Sequence, residues 1–142
     1  MFSWIVEQTA KILNIDNGTF EIENTFKEPL QIGQSIAHDW ACMTLTSWNE
    51  KSYTFFAMEE SLKKTNFLTK KVWDVFNVER CVKVWDRLDW HIVSGHVDTI
   101  WEVSNIVKNN DSCPDRFHYF IVGLIVHDRI ETCDVIWWIS YS

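Results

Sequence analysis

Apolar and polar residues alternate along much of the chain. Between residues 19 and 26, Phe20, Ile22 and Phe26 fall on one face and Glu21 and Glu23 on the other, the period of a half-buried strand. Asn17-Gly18 stands directly before it. That dipeptide favours a two-residue hairpin turn with positive φ at both positions, so an earlier strand is expected within residues 5–15. Further short strands are expected at 35–37, 41–46 and 53–58. Another is expected at 76–84, with Phe76, Val78, Val82 and Val84 on one face, and the Val- and Ile-rich run 91–103 is a further extended segment. One helical patch, residues 59–64, carries acids first and lysines last, the order a helix dipole favours. Six or so short strands with turn signals between them predict a closed β-barrel or sandwich and exclude a helix-rich fold.

With 142 residues and 46% hydrophobic content, the chain suits one domain or one and a fraction. Its 13 Lys+Arg against 20 Asp+Glu give a net charge of −7. The Lys63-Lys64 and Lys70-Lys71 pairs are diluted by nearby acids, so phosphate-driven nucleic-acid binding is excluded. The longest apolar run, residues 120–126, is far shorter than the roughly 20 residues of a membrane helix. The opening MFSWIVEQTAK lacks a basic n-region and a long apolar stretch. A soluble, cytoplasmic protein without a membrane partner is expected. Cys42, Cys81, Cys113 and Cys133 are far apart and form no C-x-x-C, the usage of free thiols rather than of a metal site.

Tryptophan is abundant and glycine scarce: 9 Trp against 4 Gly, where average usage gives about 10 Gly in a chain of this length. Trp40 follows Asp39 and Trp73 precedes Asp74, turn settings that favour a residue free to adopt positive φ. Trp90 likewise ends a polar stretch before His91. A large indole at such a position contradicts the local backbone logic. A faint internal echo sets Ile5-Val6-Glu7 and Ile12-Leu13 against Ile100-Trp101-Glu102 and Ile106-Val107. Trp40 and Thr44 match Trp138 and Ser142 at nearly the same offset, a weak sign of duplication.

Four stretches, in order and in register, resemble the riboflavin synthase family, specifically its N-terminal lumazine-binding barrel. Residues 1–7, MFSWIVE, are similar to M-F-[TS]-G-I-V-E. Residues 35–45, SIAHDWACMTL, are similar to S-[IV]-A-x-[ND]-G-x-C-L-T-V. Residues 58–66, MEESLKKTN, are similar to M-x-E-T-L-x-x-T-N. Asn77-Val78-Glu79-Arg80 followed by residues 91–98, HIVSGHVD, resembles N-[VL]-E-R and then G-H-[IL]-V-S-G-H-V-D. The resemblance covers residues 1 to about 104 and implies an all-β, six-stranded Greek-key barrel over residues 1–96. Residues 97–142 are then the truncated start of a second barrel, with residues 138–142, WISYS, loosely similar to G-[IV]-S-L-T. Trp4, Trp40, Trp73 and Trp90 stand where the family pattern has Gly, and Trp85 and Trp101 are candidates for the same substitution. One explanation is that these are glycines encoded by UGA and read as Trp. The other is genuine tryptophan in a diverged protein.

The family converts two molecules of 6,7-dimethyl-8-ribityllumazine into riboflavin and a pyrimidinedione, without metal or organic cofactor, on barrels of neighbouring subunits in a homotrimer. Orientation of two flat rings is a large part of such catalysis, and acid–base help removes a proton from the acidic 7-methyl group. Carried over by position, main-chain groups of Trp4, Ile5 and Val6 bind the ring, with Phe2 and Ser3 at the junction with the partner barrel. Cys42, Met43 and Thr44 line the pocket. Phe56, Ala57, Met58, Glu59, Glu60 and Ser61 add contacts, Glu60 and Ser61 toward the ribityl hydroxyls. Gly95, His96 and Val97 close the site. His96 is the titratable helper, because imidazole ionises near neutrality, and Ser35 orients a water or proton donor. The resemblance also puts Cys42 in the catalytic group, although nucleophilic attack by its thiol is the least favoured of its roles. By residue type alone, His96, Ser35, Cys42, Thr44 and Glu60 each admit a plain structural role. His38, His118 and His127 read as solvent or packing residues. The enzyme reading stands beside two others, a barrel that binds lumazine or flavin without turnover and an inactive fragment.

Overall fold

The computed structural model describes residues 1–85 and 92–98, and the backbone of residues 105–108 and 115–118. Six strands close into an antiparallel barrel: β1 (Gln8–Asp16), β2 (Thr19–Glu23), β3 (Ser35–His38), β4 (Ala41–Trp48), β5 (Ser52–Phe56) and β6 (Val75–Arg80). Their order around the barrel is β1-β2-β5-β4-β3-β6, and β6 returns to β1 with Gln8 opposite Val78 and Lys11 opposite Val75. Because β5 comes back to pair with β2 beyond the β3–β4 hairpin, the connection is the Greek key expected from the sequence. Helix α1 (Glu59–Lys63) and a 3₁₀ turn (Asn66–Thr69) join β5 to β6. The chain divides into two units, Met1–Ile100 and Trp101–Ser142. In the second unit, β7 (Asn105–Lys108) pairs with β8 (Asp115–His118). No helix among the described residues is long and apolar enough to cross a membrane.

Asn17 and Gly18 have φ of 46° and 82° between the paired residues Asp16 and Thr19, the two-residue turn that the dipeptide implies. Inward positions then follow the alternation: Ala10 and Ile12 on β1, Phe20 and Ile22 on β2, Met43 and Leu45 on β4, Phe76 and Val78 on β6. Phe20 stacks on Phe55 with ring centroids 5.1 Å apart, and Phe67 meets Phe76 edge-on at 5.1 Å. Phe26 is buried as expected but lies beyond the end of β2.

Three boundaries differ from the sequence expectation. β1 starts at Gln8 rather than near residue 5, because residues 1–4 are hydrogen-bonded elsewhere. β6 ends at Arg80, so Val82 is half-buried and Val84 is 89% exposed. Of the run expected at 91–103, residues 92–98 contribute one isolated bridge, Phe2 to Val93, and Gly95 at φ 75° interrupts the extended backbone.

Trp4, Trp40 and Trp73 occupy the left-handed region at φ 64°, 67° and 78°. Trp85, 95% exposed, does not. Trp90 and Trp101 lie outside the described residues.

His38 is fully buried among Tyr53, Phe55 and Phe76. Its Nδ1 lies 3.2 Å from the Ile36 carbonyl and its Nε2 2.9 Å from the Tyr53 hydroxyl. A carbonyl only accepts, so Nδ1–H donates to Ile36 and Nε2 accepts the Tyr53 O–H. Burial lowers the His38 pKa to about 3, against a smaller opposing effect of the Ile36 carbonyl, and burial raises that of the Tyr53 phenol. One end of the barrel is tied by Asp39, which accepts from Lys70 Nζ at 2.8 Å, Asn66 Nδ2 at 2.9 Å and the Asn77 amide at 2.9 Å.

A Cβ added at Gly18 would lie 2.9 Å from the Ala57 carbonyl oxygen. Gly18→Ala is therefore expected to cost about 1–3 kcal/mol in urea unfolding. The His38 imidazole stays neutral in the folded barrel while the unfolded one takes up a proton, so its contribution to stability is full above pH 6.5 and is lost as pH falls toward 3. His38→Gln should flatten the slope of urea midpoint against pH in that window.

Candidate functional site

The first four residues are held by parts of the chain far along the sequence. Phe2, 1% exposed, exchanges two main-chain hydrogen bonds with Val93 at 2.8 and 2.9 Å, and the Val82 amide donates to the Met1 carbonyl at 3.0 Å. Glu79 on β6 takes the next two residues. Its Oε1 accepts from the Ser3 amide and from the Ser3 hydroxyl at 2.7 Å, and its Oε2 from the Trp4 amide at 3.1 Å. Main-chain pairing resumes where the Glu7 amide donates to the Val78 carbonyl at 3.1 Å. Between those points Trp4 and Ile5 are exposed and Val6 is half-buried.

Strand β4 forms the second wall. Alternation sends Ala41, Met43 and Leu45 into the core and leaves Cys42 half-buried and Thr44 exposed. Ser35 on β3 lies opposite Thr44, and Ala37 opposite Cys42, so Ser35 and Thr44 share an outer face. Met43 presents main chain rather than its side chain there. Pairing of β4 with β5 runs from Leu45 to Trp48. Ahead of that stretch, the Cys42 amide donates to the Gly95 carbonyl at 2.8 Å. An added Cβ at Gly95 would lie 2.9 Å from Cys42 Cβ and 2.9 Å from the Phe2 ring. Glycine is therefore needed at 95 for its φ and for the closeness of its neighbours.

Residues 92–98 lie as a strap beside these walls. Val97 and Leu62 of α1 are half-buried and both pack against the barrel core. The half-buried Lys64 is held above its ordinary pKa first by its hydrogen bond to Glu60, then by that carboxylate's charge, with Asp98 adding to the effect. His96 is exposed, and its amide donates to Ser94 Oγ at 3.2 Å. On the α1 side, the Ala57 amide is bonded to Gly18, Phe56 and Met58 are exposed, and Ser61 is half-buried. Glu59 and Glu60 pair with Lys63 and Lys64 at 2.6 and 2.8 Å. Hydrogen bonding to Lys64 and its charge lower the Glu60 pKa.

Of the residues expected to form a site, Phe2, Cys42 and Gly95 are in direct contact, with Ser3 and Trp4 on the adjoining main chain. Ser35 and Thr44 pair across β3 and β4, and residues 56–61 belong to the β5–α1 side. The sequence marks Glu79 only as the third residue of the stretch similar to N-[VL]-E-R, without assigning it a role. A carboxylate on the outward face of a strand is normally solvated, and its burial depends on the N-terminal segment folding over it. Among the described residues, no group of three or more His, Cys, Asp or Glu is placed to hold a metal ion.

The family model for the lumazine binding domain matches residues 3–81. Riboflavin synthase of Escherichia coli strain K12 is 36% identical over 118 residues, 79% of this chain and 55% of that protein. The riboflavin synthase of Chlamydia pneumoniae is 35% identical over 115 residues, 77% of this chain and 58% of that protein. That of Schizosaccharomyces pombe is 35% identical over 136 residues, 89% of this chain and 65% of that protein. The chain spans about half to two thirds of the length of these relatives.

Gly95→Ala is expected to push the strap off Cys42 and Phe2. Thiol labelling followed by peptide mass spectrometry should show faster modification of Cys42 in the variant, with the rate at Cys81 unchanged.

Proposed function

The chain belongs to the lumazine-binding domain family, and from that premise we propose that its barrel forms one half of a riboflavin synthase site. The substrate is 6,7-dimethyl-8-ribityllumazine. The observation that carries the reading is the meeting of Phe2, Cys42 and Gly95 beside the main chain of residues 3–6, at the stretch where β4 runs without β5. A flat heterocycle stacks against such a wall while main-chain amides and the Thr44 hydroxyl bond its polar edge. Ser61 and Glu60 face the ribityl chain. His96, exposed on the strap, accepts the proton of the 7-methyl group and returns one later, and Ser35 positions a water for addition at C7. The reaction passes a four-carbon unit between two lumazines held face to face, so turnover requires a second barrel. Residues 97–142 are read as its beginning, with the rest supplied by a longer chain or by another subunit of a cytoplasmic trimer. Proximity of the two rings is the largest contribution asked of the protein.

A second reading is a barrel that binds lumazine without converting it, supported by the match of the lumazine binding domain to residues 3–81. Titration of the fluorescent lumazine separates the readings. Quenching together with riboflavin formation supports the enzyme, quenching alone supports the module, and unchanged emission overturns both. Thr44→Val, which removes one hydrogen bond of about 1 kcal/mol, should raise the lumazine Kd roughly fivefold.

A further inference from the structure

We propose that Glu79 is the positioning residue of the ligand-facing main chain at residues 4–6, a role that rests on the lumazine reading above. Phe76 and Val78 of β6 point into the core, so alternation turns Glu79 outward, yet it is only 5% exposed. A carboxylate is costly to bury unless hydrogen bonds replace its water. Here three donors from two successive residues do so: the Ser3 amide, the Ser3 hydroxyl and the Trp4 amide. Successive amides converging on one anion form a concave nest, a geometry in which one residue adopts the left-handed conformation. Trp4 at φ 64° is that residue. The Phe2–Val93 bridge fixes the chain before the nest and the Glu7–Val78 bond fixes it after. Glu79 therefore sets where residues 4–6 present their main chain. It lies beneath the segment and acts through it.

The test uses the full chain and the full chain carrying Trp4→Gly, so that the indole does not obstruct the ring. Glu79→Gln keeps the shape and weakens the acceptor. It is expected to raise the lumazine Kd roughly tenfold, the size of one charge-assisted hydrogen bond. Ser3→Ala added to Glu79→Gln should cause little further loss, because both act through one contact. Glu7→Gln, which breaks the Arg80–Glu7 pair nearby, serves as a control for general loosening and should change the melting temperature without that rise in Kd. A parent that binds lumazine and a Glu79→Gln variant that binds it equally well overturn the role of Glu79 and leave the lumazine reading standing. A parent that fails to bind even with Trp4→Gly overturns the reading and the positioning role with it.

A separate observation carries a second inference. Among the described residues, the others with positive φ are Asn17, Asp39 and the glycines 18, 33 and 95, all types that tolerate or favour it. Against that set stand three tryptophans, Trp4, Trp40 and Trp73, for which the left-handed backbone costs about 1–2 kcal/mol per residue. Trp48, in contrast, lies in β4 with ordinary strand backbone. We infer that positions 4, 40 and 73 are glycine in the protein its organism makes, encoded by UGA. The coding DNA should show UGA at all three, and peptide masses from the organism should carry glycine there. UGG codons or tryptophan masses overturn the inference. In the recombinant chain, Trp40→Gly and Trp73→Gly should raise the melting temperature.

Discussion

β6 turns a sheet into a barrel by pairing with β1 along one edge and with β3 along the other. Without it, β1 and β3 would both expose unpaired edges, and the aromatic cluster around Phe20, Phe55 and Phe76 would lose one wall. The two faces of β6 divide the remaining tasks. Phe76 and Val78 complete the core, Glu79 on the opposite face collects the N-terminal segment, and Arg80 at the end of the strand collects Glu7 and Glu28. Arg80 bonds to Glu7 and Glu28 and lies 5.0 Å over the Phe26 ring, and Glu79 holds the N-terminus. Barrel closure and the anchoring of residues 1–4 are therefore one event.

Much of the barrel could be read in the sequence because its rules are local. Asn17-Gly18 fixes a turn, and the spacing of Phe20 and Ile22 fixes a strand and its inward face. What could not be read depends on residues meeting across long stretches of chain. Val84 continues the apolar alternation of β6, but pairing stops at Arg80 and leaves it in solvent. Residues 5–7 have the composition of a strand, but the capture of residues 2–4 delays β1. His38 looks like a surface or packing histidine. Its burial is met by Ile36, two residues earlier on β3, and by Tyr53 of β5, which reaches it although β4 stands between the two strands in the sheet. The motifs that contain Phe2, Cys42 and Gly95 mark residues that the fold brings together. Glu79 falls in the stretch similar to N-[VL]-E-R, but its burial could not be read because alternation alone assigns it to water.

The ionic contacts differ in weight according to burial. The pairs of α1, Glu59–Lys63 and Glu60–Lys64, are exposed and add little to stability. Asp39 and Lys70 have side chains only 9% and 16% exposed, and Lys70 also lies 4.8 Å over the Phe76 ring. This tie between the β3–β4 turn and the segment leading into β6 holds the barrel at the end where Asn66 and Asn77 also converge on Asp39.

The tethering of Met1–Trp4 to Glu79, Val82 and Val93 sets an order on biosynthesis. Residues 1–4 leave the ribosome well before the partners that hold them, which lie much further along the chain. The nascent chain must carry Phe2 uncovered until Val93 emerges. Such sequence-distant closure slows folding and prolongs exposure of apolar surface, so a ribosome stalled within β6 would hold a nearly complete sheet with its opening residues still unclaimed.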